Sequence, residues 1–131
     1  MISAILIMLA AICNASMDVC SFHYYYSIFT KFDDKFFNSN RSWYNKYIDG
    51  EPSKGRRKWF FGLLTLHPAF TDSFHMFKSL MVVFLISAIP FCPKNELGLE
   101  DWIYYLLVIG IGGTIWNLTF NLFYNHILRK K

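Results

Sequence analysis

TDSFHMFKSLMVVFLISAIPF, Thr71 to Phe91, is the stretch whose reading decides the fold. Asp72, His75 and Lys78 follow one another at its start, a helical turn apart, and beyond Ser79 nearly every residue is apolar. Its length matches the roughly 20 residues that a helix needs to cross a bilayer. Pro90 and Pro93 stop it at the apolar end, because proline cannot continue a helix. The expectation is a membrane-crossing helix with a polar foot at one surface.

The composition around this stretch points the same way. The 131 residues leave room for one domain. With 54% hydrophobic and 20% aromatic residues, the chain is too apolar for a small soluble domain to bury. The formal charge of +4 is unevenly placed, the basic residues falling mainly in residues 31–58 and after Leu128. In so hydrophobic a chain that bias is topological information. No nucleic-acid motif accompanies it, so no nucleic-acid partner is expected. Cys13, Cys20 and Cys92 have neither metal nor redox spacing and are expected as packed free thiols.

Two further apolar stretches flank the first, about residues 2–24 and 102–128. Cys13-Asn14-Ala15 resembles a secretory cleavage site, but no basic segment precedes it, as a signal peptide requires. Whether residues 1–15 are removed stays open, and the segment is taken as a first span. Gly110, Gly112 and Gly113 in the third stretch would permit close helix contact, within the chain or in an oligomer. The turn 92–101 is acidic, whereas segment 31–58 and the tail are basic. The expected fold is therefore all-α: an integral membrane protein with three transmembrane helices, a cytoplasmic loop over 25–70 and an external turn over 92–101. It would be a multi-pass protein of the cytoplasmic (inner) membrane, N-terminus out and C-terminus in.

The loop mixes cations with aromatic residues, as in Trp43-Tyr44-Asn45-Lys46-Tyr47. Aromatic side chains anchor at headgroup level and cations face anionic lipid. Trp43, Tyr44 and Tyr47 are expected to fold the loop back onto the membrane. Trp59 to Leu66 is apolar but too short to span, and is expected as an interfacial or re-entrant helix ending at His67-Pro68. Thr71 is the expected cap of the next helix.

Helical spacing groups the polar residues of each span. Asn14, Asp18 and Ser21 share one side of the first helix; Asp72, His75 and Ser79 one side of the second; Thr114, Asn117, Asn121 and Asn125, with His126 beside them, one side of the third. Polar groups in hydrocarbon need partners, so the three stripes are expected to meet near the cytoplasmic face. Asp72-x-x-His75 places a carboxylate and an imidazole one turn apart, as in the ligand pairs of metal-binding bundles. Asp18 and His126 would complete a sphere for a divalent metal ion, with His23 or His67 as alternates. Such a centre could activate water against a lipid phosphate or similar ester, with Asp18, Asp72 and His75 catalytic. The alternatives are a charge-paired network of Asp18, Asp72 and His75 that holds three helices in register, with Lys78 and Arg129 as counter-ions, and a path for an ion or solute.

The runs Ser42-Trp43-Tyr44-Asn45-Lys46-Tyr47, Gly50-x-Pro52-x-x-Gly55 and Thr71-Asp72-x-x-His75 resemble small three-span membrane proteins of Bacteroidetes and their mobile elements. Met17-Asp18, Ser27-Ile28-Phe29 and Phe36-Phe37-Asn38 fit as well, so the resemblance covers about residues 17–80. That family commonly has a tryptophan before the histidine, where this chain has the similarly bulky Phe74. The resemblance implies a membrane location and a shared Asp/His site, and no activity. Three kinds of function therefore stand side by side. One is a membrane-embedded hydrolase or metal-binding protein. Another is a non-enzymatic subunit whose loop docks anionic headgroups or a membrane-protein partner. The last is a holin-like pore, which the long loop argues against.

Overall fold

A computed structural model describes residues 1–59, 61–62 and 64–130. Its long helices are α1 (Ile2–Phe22), α4 (Ser73–Ala88, continued by a 3-10 turn to Phe91) and α5 (Asp101–Leu122). All three are long and apolar enough to cross a membrane. Two one-turn helices, α2 (Asp34–Phe37) and α3 (Ser39–Ser42), lie between α1 and α4 among several 3-10 turns.

α1 is the central helix and packs on both α4 and α5. The sequence accounts for this placement: Ala10, Ala11 and Ala15 are fully buried, and such short side chains let neighbouring backbones come close. α4 and α5 leave broad apolar sides uncovered, Val83, Ile86, Leu106 and Leu118 among them. After Leu122 the last helix widens into a π-turn over Phe123–Ile127. The chain then runs back alongside the end of α1. Ser27 bridges to Arg129, Ile28 N–H donates to the Leu128 carbonyl (2.9 Å), and Lys130 N–H donates to the Tyr26 carbonyl (2.6 Å).

The best-buried cluster lies at this end, where Ala15, Val19, Cys20, Tyr24, Phe29 and Leu128 meet. Phe29 stacks on Phe37 at 5.3 Å, and the rings reach Phe77 of α4 at 5.8 and 6.5 Å. Polar pins add to this: the Asn45 amide donates to the carbonyls of Lys35 (2.6 Å) and Thr71 (2.9 Å). Burying a large apolar side chain contributes about 1.5–3 kcal/mol, against a net ~1 kcal/mol for one hydrogen bond. Aromatic packing is therefore the main attachment of the loop. Trp43, Tyr44 and Tyr47 instead pack on one another, with the Lys46 ammonium 5.8 and 5.4 Å from the Trp43 and Tyr47 rings.

The short helix expected over Trp59–Leu66 is corrected. The described part of that run is an antiparallel pair, β1 (Lys58–Trp59) with β2 (Leu64–Thr65), in the register Lys58 to Thr65 and Trp59 to Leu64. Phe61 and Gly62 both have positive φ (54° and 82°), the backbone of a tight hairpin reversal. Phe60 and Leu63 of that run, and Lys131 of the tail, lie outside the described residues.

Candidate functional site

Asp72 rather than Thr71 is the N-cap of α4. Its backbone is extended (φ −151°, ψ 155°), and Oδ1 accepts from the His75 N–H at 2.9 Å. The same carboxylate holds the His75 ring, with Nδ1 at 2.8 Å from both oxygens. Asp72 is thus a helix cap and the imidazole's partner at once. Its side chain is 5% exposed and that of His75 44%. An imidazole that donates Nδ1–H to a carboxylate presents Nε2 as a base, and as an acid once protonated.

His75 is a wall shared by two clefts. One, of about 170 Å³, is lined by Ser21 of α1, Ser39 and Ser42 of α3, Trp43, Asp72, Phe74 and His75. The other, about 480 Å³ and more open, is lined by His67, Lys78, Ser79 and Val82 together with His75. α3 is positioned by its own cap: buried Asn38 accepts from Asn40 N–H (3.1 Å) and donates to Asp34 Oδ1 (2.9 Å). The Asp34 carboxyl is held below its usual range by the Asn38 amide first, then by the Tyr24 hydroxyl and Arg41. Burial, with Asp34 beside it, pushes the Tyr24 phenol up to about 12. The Ser39 hydroxyl donates to the Ser21 carbonyl (3.4 Å), which ties α3 to α1.

Of the four expected ligands, Asp72 and His75 come together. Asp18 and His126 do not complete the expected sphere, since no group of three or more His, Cys, Asp or Glu side chains among the described residues could hold a metal ion. Asp18 is half-buried on α1, and His126 is exposed in the π-turn. His23 packs edge-on against Tyr124 at 5.6 Å, and His67 Nδ1 accepts from Ala69 N–H (3.2 Å). Neither expected counter-ion pairs with Asp72: Arg129 lies over the Tyr124 ring at 5.6 Å, and Lys78 forms no salt bridge among the described residues. The three polar stripes do not converge either, because Thr114, Asn117, Asn121 and Asn125 are all exposed.

Ser39 and Ser42 were not legible as site residues. Their one signal is Asn38, a good N-cap residue, but nothing in the sequence aims α3 at the start of α4. No protein-family model, no curated protein and no solved structure matches the chain.

Proposed function

We propose that this is a three-span protein of the cytoplasmic membrane whose Asp72–His75 pair is an acid–base centre for an anionic amphiphile at the inner surface. The carrying observation is the buried Asp72 carboxylate 2.8 Å from Nδ1 of a half-exposed imidazole that lines both clefts. The orientation follows from charge: Lys31, Lys35, Arg41 and Arg56–Lys58 share the loop end with Arg129 and Lys130, while Glu96, Glu100 and Asp101 lie at the other end. Lys78 stands five residues into α4, about 8 Å along the axis. At that depth its stem lies along lipid while the ammonium reaches headgroup level, beside the His67 and Ser79 that line the same cleft.

The roles follow from this geometry. Lys78 and Ser79 hold the anionic group, and His75 Nε2 takes a proton from water or from a substrate hydroxyl. Asp72 keeps the ring oriented and stabilises the imidazolium that results. The smaller cleft admits a group of headgroup-fragment size; whole ligands usually fill about 300–1,000 Å³.

The test is purified protein in vesicles that hold a panel of acyl- and phospho-ester lipids, with products read by mass spectrometry. New product with the wild type and none with His75→Ala is expected. Identical product profiles for the two would overturn the proposal. A second reading has an observation of its own in the His75 N–H bond to Asp72: the pair would serve only as a helix cap. Asp72→Asn separates the two, because asparagine caps as well as aspartate but carries no charge to stabilise an imidazolium. Unaltered product formation in that variant would favour the cap.

A further inference from the structure

The polar side of α5 has no counterpart among the described residues. Gly110, Thr114, Asn117, Asn121 and Asn125 follow one another at three- and four-residue steps and so share one side of the helix. All five are exposed. The opposite side meets α1, where Gly112 faces Ile7. Some of the polar atoms are satisfied locally. The Thr114 hydroxyl donates to the Gly110 carbonyl (2.8 Å), the Asn121 amide to the Asn117 carbonyl (2.9 Å), and the Asn125 amide to Asn121 Oδ1 (3.3 Å). The Asn117 carboxamide makes no hydrogen bond among the described residues, and Asn125 Oδ1 accepts none.

Depth makes this consequential. The apolar helix runs from Asp101 to Ile127, and at 1.5 Å per residue Asn117 lies only about 5 Å from its midpoint. If α5 spans the bilayer, as proposed above, Asn117 is near the midplane. Lipid tails offer a carboxamide neither donor nor acceptor. Leaving it there without a partner is unfavourable.

We propose that a second copy of this chain covers this side of α5, forming a parallel two-fold dimer. The occupant follows from the chemistry. A carboxamide is donor and acceptor together, so the stripe is complementary to itself. Every copy in the same membrane carries it at the same depth and in the same direction. A two-fold axis along the membrane normal sets Asn117 against Asn117 of the partner subunit, which is the isologous contact that such symmetry requires. Gly110 and Thr114 are small enough to let the backbones approach, and their four-residue spacing suits a right-handed crossing of about −40°.

The test uses the full chain in phosphatidylcholine vesicles, with energy transfer between donor- and acceptor-labelled copies followed as lipid is added. Carbonate washing comes first; protein released by it would overturn the spanning reading, whereas retained protein lets the dimer be tested by itself. The wild type is expected to dimerise. Asn117→Leu combined with Asn121→Leu is expected to weaken dimerisation roughly tenfold, as for the loss of two intramembrane hydrogen bonds of ordinary strength. Leucine favours both helix and membrane, so misfolding would not explain that loss. Leu122→Ala, to the side of the stripe, is expected to stay within about twofold of wild type. Wild type that remains monomeric at every dilution, as it would if the stripe served lipid or a different protein, overturns the dimer. So does a double variant that associates as tightly as wild type, or an equal loss in Leu122→Ala.

Discussion

Replacing Asp72 by alanine and by asparagine separates what this one side chain does. Its Oδ1 accepts from the His75 N–H at 2.9 Å, and its carboxylate holds the ring nitrogen at 2.8 Å. Alanine removes both bonds. Loss of an aspartate N-cap costs about 1 kcal/mol, and loss of a hydrogen bond to a charged group about 1.5–3 kcal/mol. The half-exposed ring recovers part of the second through water. A local destabilisation of about 1–2 kcal/mol is expected, roughly a 5- to 30-fold larger open population of the first turn of α4. Asparagine keeps the cap and should stay within a few tenths of a kcal/mol for that turn. Hydrogen–deuterium exchange over residues 72–79 in nanodiscs reads both variants, and a peptide from the middle of α4 serves as the unchanged reference. If Asp72→Ala exchanged like wild type, the assignment of Asp72 as the anchor of α4 and of its imidazole would be refuted.

Acidification should loosen α2 and α3. The Asp34 carboxyl is held below its ordinary value of 3.8, so its contribution is complete above that pH and is lost as the pH falls through the lower folded value; Trp43 fluorescence should show a transition there that Asp34→Asn lacks. Leu128→Ala should destabilise the loop end by about 2–3 kcal/mol, because Leu128 is buried against Val19, Tyr24 and Phe29. Circular dichroism melts in detergent measure it, and a shift below 1 kcal/mol would contradict the packing. Cys92 is exposed while Cys13 and Cys20 are buried, so an impermeant maleimide should label Cys92 alone in intact cells. Labelling only after permeabilisation would invert the proposed orientation.

The three long helices were legible because each is a mostly apolar run near the length a bilayer demands, and nothing else in the chain competes with them. The Asp72–His75 pair was legible because it is local: an aspartate at the N-cap meets the residue three positions on whatever surrounds them. Contacts between elements were not. Helical spacing shows that Thr114, Asn117, Asn121 and Asn125 share a side, but the same pattern is kept whichever way that side points. Here Gly112 turns toward α1, and the asparagines are left exposed. The hairpin after Arg57 was hidden by its backbone: Phe61 adopts a positive φ of 54°, which a bulky residue seldom does and which no apolar pattern announces.

The pairing of Ser27–Thr30 with Leu128–Lys130 has a consequence for biosynthesis. Lys130 Nζ donates to the Thr30 hydroxyl across 100 positions of chain, and the backbone bonds beside it span a similar interval. Until α5 has been made, the peptide groups just beyond α1 must hydrogen-bond to water, and Leu128 is missing from the cluster around Val19. A chain halted before α5 would still pack Phe29 on Phe37 and Phe77, but the cluster with Tyr24 would close only once Leu128 arrives.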